Sequence, residues 1–430
     1  MSKWQTVYKE KLVSAAEAAA AIESGDHIWF PVGVGEPHAF LRALVDRKAE
    51  LRDVTTHQIL AVRPWYFEQK TAPHIRHNSW FTSGASRAAV QGGWADFTPN
   101  YFHEIPKMIR DYWPSDAIGA VVSPMDDHGY FSMSLGVDYT WEALKKAHKV
   151  ILEVNPQAPR CFGNCQVHIS QVTHIVECGE PLPDLPIPAL TEEDKTIGGY
   201  VAEMIEDGST LQIGFGGVPN AVCQALKSKL DLGIHTEMVT EGIMDLAECG
   251  AVNNSKKTIN RGKLIGTFAW GTGRLYKFMN NNPMIEMHPV DYTNDPYVIG
   301  QHDRMVAINA TIEVDLLGQC CSESMGPKQW SATGGQADFF KGANRSKGGK
   351  GFVTTPSTAK GGTISRIVPT LQPGAVVTTS KNDVDHVVTE FGVAKLRGKT
   401  ARQRAQALIG VAHPDFRAEL TEAARRMKVI

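Results

Sequence analysis

Two stretches of this chain repeat the same order of residues. Ile22-Glu23-Ser24-Gly25 leads into Pro31-Val32-Gly33-Val34-Gly35-Glu36-Pro37, and Ala43-Leu44 follows. Ile205-Glu206-Asp207-Gly208 leads into Ile213-Gly214-Phe215-Gly216-Gly217-Val218-Pro219, and Ala225-Leu226 follows. Ile205 lies 183 positions after Ile22, and Leu226 lies 182 after Leu44, so one residue slips within the glycines. Each copy reads as helix end, apolar strand, glycine loop and helix start. Glycine between strand and helix lets backbone N–H groups approach a ligand more closely than bulkier residues allow. The expected fold is α/β: two homologous open α/β domains with largely parallel sheets, each with a ligand-facing loop. The chemistry is expected where the halves meet.

The length of 430 residues agrees, being too great for one ordinary core. The runs Ala117–Val122 and Val150–Val154 read as buried strands of such sheets. Pro181-Leu182-Pro183-Asp184-Leu185-Pro186-Ile187-Pro188 holds four prolines in eight residues and reads as an extended linker. The domains are therefore expected at 1–185 and 190–430. A weaker echo, Ser83-Gly84-Ala85-Ser86-Arg87 against Trp270-Gly271-Thr272-Gly273-Arg274, has an offset of 187. Lys341–Gly351 reads as a basic, glycine-rich surface loop or as a loop near phosphates. Residues 401–427 read as helix, for packing or for an oligomer contact.

A net charge of −2, with no long basic run, argues against a nucleic-acid partner. Met1-Ser2-Lys3-Trp4-Gln5 lacks the apolar core of a signal peptide, and no apolar run approaches the roughly 18 residues of a membrane span. The seven cysteines are odd in number and scattered, which fits reduced thiols in a cytoplasm and no metal site.

Gly214–Pro219 invites a dinucleotide reading, but G-x-G-x-x-G would need glycine where Pro219 stands, and no Gly-Lys-Ser/Thr follows for a P-loop. The loop still suits an anion or an extended cofactor chain; a plain strand–helix turn is the alternative. Next comes Gly233-Ile234-His235-Thr236-Glu237-Met238-Val239, an apolar strand tip. Glu241 is explained as a first-turn carboxylate of the following helix. Glu237 has no such explanation, and an ionisable residue at a strand tip beside a glycine loop is a reaction-centre candidate. In Ser331–Phe339, Gly334 and Gly335 free adjacent N–H groups to serve an oxyanion or a tight turn. Lys360, before Gly361-Gly362, suits a phosphate contact or plain solvation.

Together with His288-Pro289-Val290-Asp291-Tyr292, Val388–Ala394 and Ala412–Phe416, these motifs resemble the acetyl-CoA hydrolase/transferase family of class I CoA-transferases. The likeness covers nearly the whole chain and is greatest to the 4-hydroxybutyrate and butyrate branch. The resemblance implies that Glu237 is the nucleophile and forms a glutamyl-CoA thioester. It implies CoA contacts at Gln212, Ile213, Gly214, Phe215 and Gly216, and near Ile312, Gly335 and Lys360. An oxyanion hole is expected at Gly334 and Gly335. The carboxylate pocket is expected at the first-domain loop Val32–His38 and at Phe81-Thr82-Ser83, with Val34, Gly35 and His38 as substrate residues, and with His38 or Arg87 for a second carboxylate; a structural salt bridge is the alternative for Arg87.

The implied activity moves CoA from acetyl-, butyryl- or succinyl-CoA to butyrate, 4-hydroxybutyrate or itaconate, with CoA as substrate and no metal. The implied partners are acyl-CoA and a small carboxylate, in a cytoplasmic homodimer or higher homo-oligomer. Three other readings stay open: an acyl-CoA hydrolase on the same fold, a nicotinamide-dependent reductase, and a non-catalytic acyl-CoA-binding regulator.

Overall fold

The computed structural model describes residues 3–187 and 189–430; Met1, Ser2 and the last linker proline, Pro188, lie outside the described residues. Two compact units are present: Met1–Leu185 with Ile265–Thr293, and Pro186–Leu264 with Asn294–Ile430.

The first unit is built on β1 (His27–Trp29), β2 (Val54–Ile59), β3 (Ile75–Phe81), β4 (Asp96–Phe97), β5 (Ala117–Val122), β6 (Lys149–Val154) and β7 (His174–Glu177). They form one sheet in the order β7-β6-β5-β1-β2-β3-β4, and every pairing is parallel. β5 is buried along its whole length, which its unbroken Ala/Ile/Gly/Val run allows in a sheet covered on both faces. α1 (His38–Asp46) follows the first glycine loop and packs Phe40, Leu41 and Leu44 against Ile28, Val54 and Ile151. Truncating Phe40 to Ala in this core would cost about 3–5 kcal/mol.

The second unit has β8 (Thr210–Ile213), β9 (Gly233–Ile234), β10 (Met305–Ala310), β11 (Lys350–Thr354), β12 (His386–Thr389) and β13 (Gly392–Lys395). Their order is β9-β8-β10-β11-β12-β13, parallel except for the last pair. Read from the other edge, β12-β11-β10-β8-β9 repeats β7-β6-β5-β1-β2. The register agrees: Ile28 lies between Thr56 and Ala117, and Leu211 lies between Ile234 and Val306. Loops 31–37 and 214–219 thus leave equivalent strands at their carboxyl ends, and α2 (Gly217–Ala225) is the counterpart of α1.

Three expectations need adjustment. Residues 265–293 group with the first unit, not with 190–430. Val137 and Asp138 donate backbone N–H to Thr267, Ala269 donates to Leu135, and Ile285–Met287 pairs with Phe162–Gly163. Both members of the weaker echo therefore fall in the first unit. Second, Lys341–Gly351 is not a loop: it spans the end of a helix, Gln336–Arg345, and the start of β11. Third, the C-terminal stretch is two helices, Ala401–Val411 and Pro414–Arg426, because Pro414 cannot continue the first. Residues 181–187 of the proline linker take no helix or strand; Leu185 N–H donates to Gly271 and the Tyr276 hydroxyl to Pro183.

Candidate active site

Glu237 stands just past the end of β9, where His235 N–H makes the last ladder bond, to Leu211. β9 is an edge strand of two residues, and side chains replace the missing neighbour. Asn254 Oδ1 accepts Ile234 N–H at 2.9 Å, and the buried Lys257 ammonium donates to Ile234 O at 2.7 Å. The outward backbone groups of an edge strand are thereby satisfied and its tip is fixed. Thr236 turns the chain, its hydroxyl donating to Met238 O.

Two elements distant in sequence meet the Glu237 carboxyl group. Asn294 is fully buried and donates Nδ2–H to Glu237 Oε2 at 2.8 Å. Gly335 is the N-cap of the helix Gln336–Arg345, and its backbone also hydrogen-bonds the carboxylate. Gly334, with φ of +56°, makes the left-handed turn that delivers Gly335. A Cβ on Gly335 would fall inside the Glu237 carboxylate and against Asn294 Nδ2, so only glycine fits. Burial pushes the Glu237 carboxyl up to about 7, and the buried Asp338 in the first turn of the same helix adds to the rise. Asn294 and Gly335 oppose it by bonding the charged form. The result is a carboxyl group poised between acid and carboxylate near neutral pH. Glu241 begins the next helix, Glu241–Glu248, as expected of a first-turn carboxylate.

The second glycine loop presents backbone and one aromatic ring. Gly216 has φ of +131° and ψ of −176°, a conformation open to glycine alone, and begins α2. Phe215 is 46% exposed. Gln212 and Asn309 exchange two amide hydrogen bonds of 2.9 and 3.2 Å, so the Gln212 side chain is already engaged. Ile213 is buried.

A model of the acetyl-CoA hydrolase/transferase N-terminal domain matches residues 1–186, and the corresponding C-terminal domain model matches 271–424. The chain belongs to the acetyl-CoA hydrolase/transferase family. It is 64% identical over 427 residues to a succinyl-CoA:cyclohexane-1-carboxylate CoA transferase of Geobacter metallireducens, covering 99% of this chain and 98% of the relative. It is 47% identical to a 4-hydroxybutyrate coenzyme A transferase of Clostridium kluyveri, covering 97% and 98%. The crystal structure of RipA from Yersinia pestis superposes with a TM-score of 0.96 at 40% identity, over 100% of both chains. The chain is therefore a CoA-transferase acting on acyl-CoA and carboxylate substrates. No helix among the described residues is long and apolar enough to cross a membrane.

Within this transferase the expected residues divide. Glu237, Gly334 and Gly335 come together. Ile312, half-buried, donates its N–H to Cys321, and Lys360 is exposed in the turn of a hairpin with φ of +49°. Neither hydrogen-bonds to Glu237 or to 212–216 among the described residues. Val34, Gly35 and His38 lie at the first unit's glycine loop, all buried. His38 has Arg42 at one ring nitrogen and Glu180 at the other, so it has no nitrogen left for a ligand carboxylate. Asn294 was not found from sequence. It stands 57 positions after Glu237, and its only signal is its place two residues after the His288–Tyr292 motif.

Proposed function

We propose that this transferase works through a covalent CoA ester of Glu237. The carboxylate attacks the thioester carbonyl of the donor acyl-CoA and expels CoA thiolate, leaving a mixed anhydride. The thiolate attacks the glutamyl carbonyl of that anhydride, releasing the donor acid and leaving glutamyl-CoA. The acceptor carboxylate then repeats the steps in reverse and departs as its CoA ester. The thioester is conserved throughout. The observation that supports this reading is the Glu237 carboxyl held between Asn294 Nδ2 and the N-cap Gly335. Those donors suit an oxygen that gains charge as the glutamyl carbonyl is attacked.

In this reading the loop 212–216 takes part of CoA through its backbone and Phe215, with Ile312, Gly335 and Lys360 as further contacts. The first unit's loop, at Val34 and Gly35, takes the carboxylate partner. The named relatives favour succinyl-CoA as donor and a carboxylic acid such as cyclohexane-1-carboxylate or 4-hydroxybutyrate as acceptor; butyrate and itaconate complete the panel. Hydrolysis is the less favoured outcome, since the relatives of high identity are named as transferases. In this reading the enzyme works in the cytoplasm as a homo-oligomer.

The test incubates the protein with succinyl-CoA and no acceptor, then reduces with borohydride. Glutamyl-CoA becomes an alcohol at Glu237, readable by peptide mass spectrometry. Label at another residue, or no label in an enzyme that turns over, would overturn the mechanism.

A further inference from the structure

The first glycine loop bears a charged cluster that the reaction above does not use. Glu36 is wholly enclosed: its Oε1 accepts Val62 N–H at 2.9 Å, the Gln58 side chain and the Arg63 backbone also favour its charged form, and its Oε2 makes no hydrogen bond of good geometry among the described residues. Arg63 Nε pairs with that oxygen by charge at 3.7 Å, beyond hydrogen-bond reach, and is itself enclosed without a hydrogen-bond partner. No other guanidinium nitrogen of Arg63 donates to a described residue. A guanidinium carries five donors in a planar fork that matches a carboxylate. Here the fork is unfilled, while 23% of the side chain remains exposed.

Neighbouring groups leave the anion role to Arg63. Arg42 Nη2 lies 3.0 Å from His38 Nε2. An arginine only donates, so Nε2 accepts and the imidazole turns its Nδ1–H toward Glu180. Burial first, then Arg63, push the His38 pKa down, Glu180 opposes them and Arg42 adds to the fall; with Nε2 accepting from Arg42, the ring is read as neutral. Burial pushes Glu36 up to about 7, so its carboxyl only partly offsets the Arg63 charge at neutral pH. The Trp65 ring stands beside them, 6.3 Å from the His38 ring and 5.8 Å from the Arg42 guanidinium. The cluster thus offers an unfilled planar cation between a neutral imidazole and an enclosed carboxyl group.

We propose that Arg63 determines substrate choice by binding the distal carboxylate of a dicarboxylic acyl group, such as succinyl, through its free guanidinium nitrogens. This rests on the reading that the first unit takes the carboxylate partner.

The test compares kcat/KM for succinyl-CoA and for butyryl-CoA, which has a methyl group in place of the distal carboxylate, with one fixed acceptor. Wild type, Arg63→Met and Arg63→Lys are compared. Arg63→Met should lose about 10- to 100-fold with succinyl-CoA, mainly in KM, the range of a charge-assisted hydrogen bond. Butyryl-CoA use should change by less than about threefold, and Arg63→Lys should recover part of the loss. Equal losses with both donors, or none with succinyl-CoA, would overturn the assignment. Succinate alone should raise the melting temperature of wild type more than butyrate does, and this difference should vanish in Arg63→Met; its persistence would also overturn it. If wild type transfers CoA from neither donor, the proposed function fails instead, and the thermal shifts still test Arg63.

Discussion

The Glu237 carboxyl sits near 7 instead of its ordinary 4.5, which amounts to about 3 kcal/mol favouring the acid over the carboxylate. In the proposed mechanism the nucleophile is the carboxylate. Below pH 7, kcat/KM for acyl-CoA should therefore fall about tenfold per pH unit, and above it should level off. The neighbours give this limb an assignment. Asn294 Nδ2 bonds Oε2 at 2.8 Å and favours the charged form. A hydrogen bond to a charged group is worth about 1.5–3 kcal/mol, so Asn294→Ala should move the limb about one to two pH units alkaline. Asp338 disfavours the charged form, so Asp338→Asn should move it toward acid. The assay is single-turnover formation of glutamyl-CoA from pH 5.5 to 8.5. A flat profile in wild type, or an acid-ward shift in Asn294→Ala, would refute the assignment of the limb to Glu237. CoA carries its own titrating phosphate, so the opposed shifts of the two variants matter more than the limb itself.

The same displacement acts on stability. A carboxyl group whose folded value exceeds its unfolded one binds its proton more tightly when folded. That contribution is complete below about 4.5 and is lost as pH rises through about 7. Glu237→Gln has no proton to lose. Its stability relative to wild type should rise across this window, by about 3 kcal/mol at most, as read by urea unfolding at pH 4.5 and pH 8.

Glu237→Gln should fold and lose transfer almost completely, whereas Glu241→Gln, which removes only a first-turn charge worth about 0.3–1 kcal/mol, should keep most of it; robust transfer by Glu237→Gln would sink the mechanism. Gly335→Ala should lose on the order of 10²-fold or more in kcat, because its Cβ must displace the Glu237 carboxylate, and a variant with unchanged kcat would remove Gly335 from the site. Lys360→Ala should raise KM for acyl-CoA and leave kcat nearly unchanged; normal KM would show that this exposed turn does not meet CoA. Sedimentation should give a species larger than the 47.1 kDa chain, and a monomer at all concentrations would reject the oligomer.

Much of the candidate site was legible because it is written locally. The glycine loops, the His-Thr-Glu-Met strand tip and the Gly334-Gly335 turn each combine a backbone requirement with a neighbouring functional group, within a few residues. Asn294 is not local. It meets Glu237 across 57 positions, at the point where the chain returns from the 265–293 excursion, and no periodicity marks such a crossing. The misreading of Lys341–Gly351 has a different cause. Its glycines suggested a flexible loop, but Gly342 lies against Ile299 and Gly351 against the Phe340 ring. They are there because close packing leaves no room for a Cβ, and composition alone does not distinguish that need from flexibility.

Under the proposed mechanism, the repeat bears on why a duplicated chain would hold one reaction centre. Three positions beyond Ile234 stands Glu237; three beyond its counterpart Thr56 stands Ile59, which is 3% exposed and packed in the first unit. The strand and its glycine loop are common to both units, so the backbone alone does not supply the carboxyl group. The second unit adds a carboxyl group at the strand tip, together with Asn294 and a glycine helix cap to hold it. In the first unit the ionisable group of the same region is Glu36, one strand over, on the glycine loop itself. It is enclosed, and it faces the Arg63 guanidinium as well as the Gln58 amide. A carboxyl group beside an amide donor and a helix N-terminus is suited to attack and to charge development. One beside an unfilled guanidinium is suited to modulating how that cation receives an anion. From one strand–loop–helix unit, side chains on two adjacent loops thus create two different electrostatic settings, which the proposals above assign to chemistry and to recognition.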